Sequence, residues 1–224
     1  MDALRLWFNQ LDFTVLWNLL RIALACLLCI TLHEFAHGAV AYLLGDRTAR
    51  QRGRLSLNPL RHMDLFGLIL LAFAGFGWAK PVPINPRNFK HPKLGMALCA
   101  FAGPVANVLI CIMAYLLAPL VFDLLAALHW GEASVHFTRF LVLCAQLSAG
   151  MAVFNLLPIP PLDGSKLLFA LLPDKIYFAL MRYERYGVVV LALLMMSGVL
   201  NGVLGATQQL LLRFSYEIML IILF

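Results

Sequence analysis

Five consecutive residues, His33-Glu34-Phe35-Ala36-His37, form an H-E-x-x-H pattern inside a long apolar run. On an α-helix, positions i and i+4 lie ~6 Å apart along the axis and ~40° apart around it, so both imidazoles can face one metal ion. Glu34 is turned about 100° from His33, near enough to take a proton from an attacking water without being a ligand. The plainer alternative is a polar cluster that only packs helices together. Inside a membrane span that alternative weakens, because three ionisable groups are expensive there unless paired or functional. Haem is excluded, since two histidines one turn apart on one helix cannot reach opposite faces of the ring.

A zinc site needs a third protein ligand and an open position for water. Asp163 is the best candidate, in the run Asn155-Leu-Leu-Pro-Ile-Pro-Pro-Leu-Asp163-Gly164. The prolines lack N–H donors and enforce an extended chain, and Gly164 permits a tight turn after it. A carboxylate placed there could reach a neighbouring helix. Its position taken alone favours capping a short helix beginning near Ser165, and the presence of the H-E-x-x-H pattern reverses that preference.

A further patch is Ala102-Gly103-Pro104-Val105-Ala106-Asn107. Gly103 and Ala106 would allow close helix contact, and Asn107 could either donate to a developing oxyanion or make an interhelical hydrogen bond. His62, His91, His129 and His136 fall in loops or at span ends, where interfacial positions explain them. The cysteines, at 26, 29, 99, 111 and 144, all lie in apolar runs and are odd in number. They read as small buried hydrophobes rather than a disulfide framework, and Cys26-x-x-Cys29 lacks the strand–turn–helix setting of a redox motif.

The elements that position these residues are set by composition. Of 224 residues 62% are hydrophobic and 12% charged, and mean hydropathy is +0.87. So few charges cannot cover a soluble surface of this size, so the bilayer is the natural solvent. The expected fold is an all-α polytopic membrane protein, one domain over 1–224, with about four full transmembrane helices and a re-entrant or short β segment. Spans are expected at 13–44 (stopping at Gly45), 94–122, 136–157 and 186–212, with a short helix at 165–172. The 214–224 tail is too short to cross. Leu65 to Trp78 is apolar but brief and carries Gly67, Gly75 and Gly77, which suits a re-entrant segment. Residues 46–61 hold five arginines and 80–93 four basic residues, so both loops should be cytoplasmic, the 123–134 segment external and the N-terminus outside. The net charge of +6 is therefore topological and implies no nucleic-acid partner. No cleavable signal is evident in residues 1–11.

In these residues the sequence resembles the site-2 protease family of intramembrane metalloproteases. HEFAH at 33–37, AGPVAN at 102–107 and NLLPIPPLDG at 155–164 occur in the family's order and spacing, and GRLSLNPLRHMD at 53–64 and GWAKPVPINPRNF at 77–89 are similar to small bacterial and archaeal members. The resemblance implies one zinc ion held by His33, His37 and Asp163, with Glu34 as general base. It also implies that Asn155 and Asn107 position substrate backbone or oxyanion. It is closest to members without PDZ or CBS domains. Where the family often has LDGG, this chain has Leu162-Asp163-Gly164-Ser165.

The expected function is thus zinc-assisted hydrolysis of transmembrane substrate proteins in a prokaryotic cell membrane, with the site towards the cytoplasm. The rivals are a metal-binding transporter and a catalytically silent scaffold. Transport would call for more ionisable residues in 94–122 and 187–212, and a scaffold would often lose Glu34. A helical substrate must unwind to be cut; residues 65–84 either receive it by strand addition, with Asn155 clamping the strand beside the metal, or form a buried re-entrant plug without substrate contact.

Overall fold

The computed structural model describes residues 13–64, 80–182 and 184–223. Helix α1 runs Phe13–Leu43, followed by a one-turn α2 at Thr48–Gln51. Then come α3 (Pro92–Ala127), α4 (Gly131–Asn155), α5 (Asp163–Ala170), α6 (Asp174–Arg182), α7 (Glu184–Met196) and α8 (Asn201–Leu223). Short 3-10 turns stand at Pro59–Arg61 and Pro86–Asn88. No strand occurs among the described residues, and the expected re-entrant segment, 65–78, lies outside them.

Among the described residues three helices are long and apolar enough to cross a membrane: Thr14–Leu43, Pro92–Ala127 and Gly131–Asn155. Their large apolar side chains point outward, as with Trp17 and Leu20 on α1 and Leu109 and Met113 on α3. In water this would be an aggregation surface; in lipid it is the expected exterior. The interior is built from small residues. Ala25 and Cys29 of α1, Cys111 and Ala114 of α3, and Cys144, Ala145 and Ala149 of α4 form one buried cluster. Small side chains let helix backbones approach closely, which is where packing between membrane helices comes from. All five cysteines are free, and Cys29 receives a hydrogen bond from the Ser148 hydroxyl at 3.1 Å.

The helix ends follow local chemistry. Gly45, at φ +105°, closes α1 where the sequence indicated, a conformation that glycine adopts without strain. Two boundaries differ from expectation. Helices α3 and α4 continue to Ala127 and from Gly131, so the segment expected to be external is mostly helix. The last span, expected as one helix over 186–212, is instead broken between α7 and α8 and bent by 89°. The break is at Ser197-Gly198: Gly198 takes φ +72°, and the Ser197 hydroxyl donates back to the Leu194 carbonyl at 2.8 Å. A uniformly apolar run conceals such a turn, because hydropathy carries no information on φ.

The two basic loops meet at one end of the bundle. Asp46 is fully buried just past α1 and ties them together. Its Oδ1 accepts from the Thr48 amide at 3.0 Å, the Thr48 hydroxyl at 2.5 Å and the Asn88 side chain at 2.7 Å, while Oδ2 accepts from the Asn85 amide at 2.7 Å. Arg54 adds bonds to the carbonyl oxygens of Lys80 and Pro81. Burial alone would push the Asp46 carboxyl up, but these hydrogen bonds, from the Thr48 hydroxyl foremost, hold it below the usual carboxylate range.

Two expectations follow. Single cysteines at Gln51 and Arg87, in a background without the native five, should label from the same side of the membrane; labelling from opposite sides would contradict the clamp. Because the folded carboxyl titrates lower than an unfolded one, its stabilisation is complete above pH ~4 and is lost as pH falls through the depressed folded value. Thermal melts of the wild type should therefore weaken in acid. Asp46→Asn should be less stable at neutral pH, by about 1–3 kcal/mol, and flatter in its acid response.

Candidate metal centre

Helix α1 places His33 and His37 one turn apart, on a face turned into the protein. Both are buried, at 5% and 6% exposed. Their Nε2 atoms lie 3.0 Å apart, and the rings stand edge to face at 88°. Asp163 opens α5 from the far side, with Oδ2 at 3.3 Å from His33 Nε2 and 3.2 Å from His37 Nε2. Among the described residues, these three form the one group of at least three His, Cys, Asp or Glu side chains able to hold a metal ion.

The alternative of a helix cap at Asp163 resolves in its geometry. Leu162 holds the cap position, no side-chain capping bond is made, and the Asp163 carboxylate turns to the histidines instead. Its other oxygen, Oδ1, faces Lys166 at 3.9 Å. Gly164 makes this possible, since a Cβ there would stand 2.2 Å from the Leu156 carbonyl oxygen and prise α5 away from the end of α4. The proline run from 158 to 161 carries the chain back to that point.

Helix α3 closes the site from a third direction. A Cβ on Gly103 would lie 2.5 Å from the Cε1 atoms of both histidines and from His37 Nε2. The backbone of α3 therefore sits directly against the ring edges, and any side chain at 103 would take the space the imidazoles occupy. From the same helix, the Cys99 carbonyl stands 2.6 Å from His37 Nδ1, and the Asn107 amide 3.0 Å from His33 Nδ1. A carbonyl only accepts, so His37 carries its proton on Nδ1 and its Nε2 presents a lone pair inward.

This arrangement fits zinc. Tetrahedral ligands at ~2.0–2.1 Å from zinc stand about 3.3 Å from one another, close to the 3.0, 3.2 and 3.3 Å found here. Two imidazoles and a carboxylate are a familiar zinc donor set, and three ligands leave a fourth position open.

Glu34 stands beside the cluster, and its Oε2 accepts from the Val82 amide at 2.8 Å. Val82 is buried, and its Cγ1 would stand 3.2 Å from a Cβ on Gly38, one helical turn beyond Glu34. The extended stretch around Val82 is thus strapped over α1, tied by Arg54 on one side and Asp46 on the other. The structure brings together His33, Glu34, His37, Asp163 and Asn107, all named from the sequence, although Asn107, expected at the substrate backbone or oxyanion, stands at His33 instead. Sequence reading missed the Val82 amide and the Asp46 clamp; the one signal for the latter was a lone acid among five arginines. Asn155, at the end of α4, is half-buried, and its amide donates to the Met151 carbonyl at 3.0 Å, within its own helix.

Comparison with known proteins agrees in outline. The family model described as Peptidase family M50 matches residues 21–198. YwhC of Bacillus subtilis, named as a candidate zinc metalloprotease, is 40% identical over 177 residues, covering 77% of this chain and 78% of that protein. Rip2 of Mycobacterium tuberculosis, similarly named, is 33% identical over 180 residues, 79% of this chain and 66% of Rip2. No solved structure matches the chain.

Gly103→Ala should lower bound metal at least ~10-fold while leaving the helical content intact, because the nearest atoms a Cβ would meet belong to the two imidazole rings. Metal analysis with circular dichroism checks this; full metal content in the variant would contradict the close approach of α3.

Proposed function

The chain belongs to peptidase family M50, the site-2 protease family, and on that premise we propose that it is a zinc-dependent intramembrane protease acting on transmembrane protein substrates. Family membership supports the metalloprotease class. The observation that carries the bilayer-embedded site is the position of His33, Glu34 and His37 in a membrane-length apolar helix, His33 being about 15 Å from its C-terminal end. Two buried imidazoles and a half-buried carboxylate on one such helix call for a function.

The residues divide the work. His33, His37 and Asp163 would hold one zinc ion per chain, with the fourth position open. Zinc, when bound, supplies a Lewis acid that polarises the scissile carbonyl and makes a water a better nucleophile. Glu34 takes the proton of that water as its oxygen bonds to the carbonyl carbon, then delivers it to the amide nitrogen as the C–N bond breaks. The Val82 amide donates to Oε2, and the strap so fixes which way the carboxylate points. Lys166 partly balances the Asp163 carboxylate. Asn155, at the mouth of the proline run, has an oxygen left to accept from an unwound substrate backbone.

The nine basic residues of the two joined loops, five at 46–61 and four at 80–93, support a reading in which that end of the bundle faces the cytoplasm of a prokaryotic cell. Water then reaches the site from the cytoplasmic side, past the break at Pro158–Pro161.

Glu34→Gln should reduce cleavage of a model transmembrane substrate by on the order of 10²- to 10⁴-fold, with one zinc per chain retained. Turnover and metal stoichiometry are measured on the same preparation. Undiminished cleavage would remove the general-base role, and zinc loss would mean that Glu34 serves the metal instead.

A further inference from the structure

We propose that Asn107 is a positioning residue for His33: its amide oxygen accepts from Nδ1–H and so keeps the Nε2 lone pair available to the metal. This rests on the metal-site reading above.

Asn107 is fully buried in α3, one turn beyond Gly103. Its amide faces His33 Nδ1, the ring nitrogen that is not directed at His37 and Asp163. A neutral imidazole has one N–H and one bare nitrogen, so whatever faces Nδ1 decides what Nε2 can do. With the amide nitrogen towards the ring, Nδ1 must accept and the proton moves to Nε2, leaving His33 no lone pair for a metal. In that orientation Asn107 Oδ1 is also buried without a hydrogen-bond partner. A half-turn of the amide exchanges oxygen and nitrogen on the same sites. Oδ1 then accepts from Nδ1–H, and Nε2 is free.

Each orientation makes one bond to His33, and the ligand role decides between them. His37 shows the same arrangement without ambiguity, since its Nδ1 faces the Cys99 carbonyl, which can only accept. Helix α3 thus supplies an acceptor to both rings, from positions 99 and 107, about two turns apart. Both histidines present the same nitrogen inward. In this account Asn107 acts through His33, and contact with a substrate oxyanion is not required of it.

The test is zinc affinity of the full chain, measured by competition with a chromophoric chelator. Asn107→Leu should bind zinc roughly 10- to 100-fold more weakly. Asn107→Asp, which retains an acceptor at the same place, should stay close to the parent, and melting temperatures establish that each variant is folded. Independently of any substitution, ¹⁵N spectra of the zinc-loaded, histidine-labelled parent should show both liganding rings protonated at Nδ1. Parental affinity in Asn107→Leu, an Asp variant as weak as the Leu variant, or Nε2–H at His33 would each overturn the proposal. A parent chain that takes up no zinc would instead sink the metal-site reading beneath it.

Discussion

The described structure is arranged around one constraint: two imidazoles and a carboxylate, all buried inside the protein, must satisfy each other. His33, His37 and Asp163 converge with donor atoms 3.0–3.3 Å apart, each less than a tenth exposed. Isolated at that depth, any one of them would be strongly unfavourable. Around a divalent cation the two neutral imidazoles and one carboxylate would form a compact unit of net charge +1, with the Glu34 carboxylate close by. The surrounding helices can be read as the walls that this unit demands.

Two of those walls work by having no side chain. Gly103 lets α3 lie against the ring edges, and Gly164 lets α5 fold tightly back on the end of α4. A third wall works through its backbone, since the Val82 amide reaches Glu34 only because the chain around it is pinned by Asp46 and Arg54. The clamp is polar and sits at the wet end of the bundle, where hydrogen-bonding groups are easily solvated before folding. The site it orients is deeper. A polar loop network centred on buried Asp46 thereby sets the direction of the Glu34 carboxylate, twelve positions earlier in the chain.

Much of this was legible in the sequence, for reasons specific to particular residues. H-E-x-x-H declares itself because helical spacing converts i, i+4 directly into shared direction, and the family's order of motifs then points to Asp163. The Gly45 stop and three of the spans followed from hydropathy and glycine alone. The bend at Ser197-Gly198 was hidden, because an apolar run looks the same straight or broken. The Val82 bond was hidden for a different reason: a backbone amide has no residue-type signature, and its partner is 48 positions away. Asp46 stood in the sequence only as a solitary acid among arginines, and nothing in that pattern points to its four hydrogen bonds.

The most direct test of the central claim is X-ray absorption at the zinc edge on the purified, full-length chain in lipid. The account predicts one zinc per chain, with two imidazole nitrogens and oxygen donors at ~2.0–2.1 Å. A sulfur shell at ~2.3 Å would assign the metal to cysteine and contradict it, as would a single-imidazole signature or zinc well below one per chain.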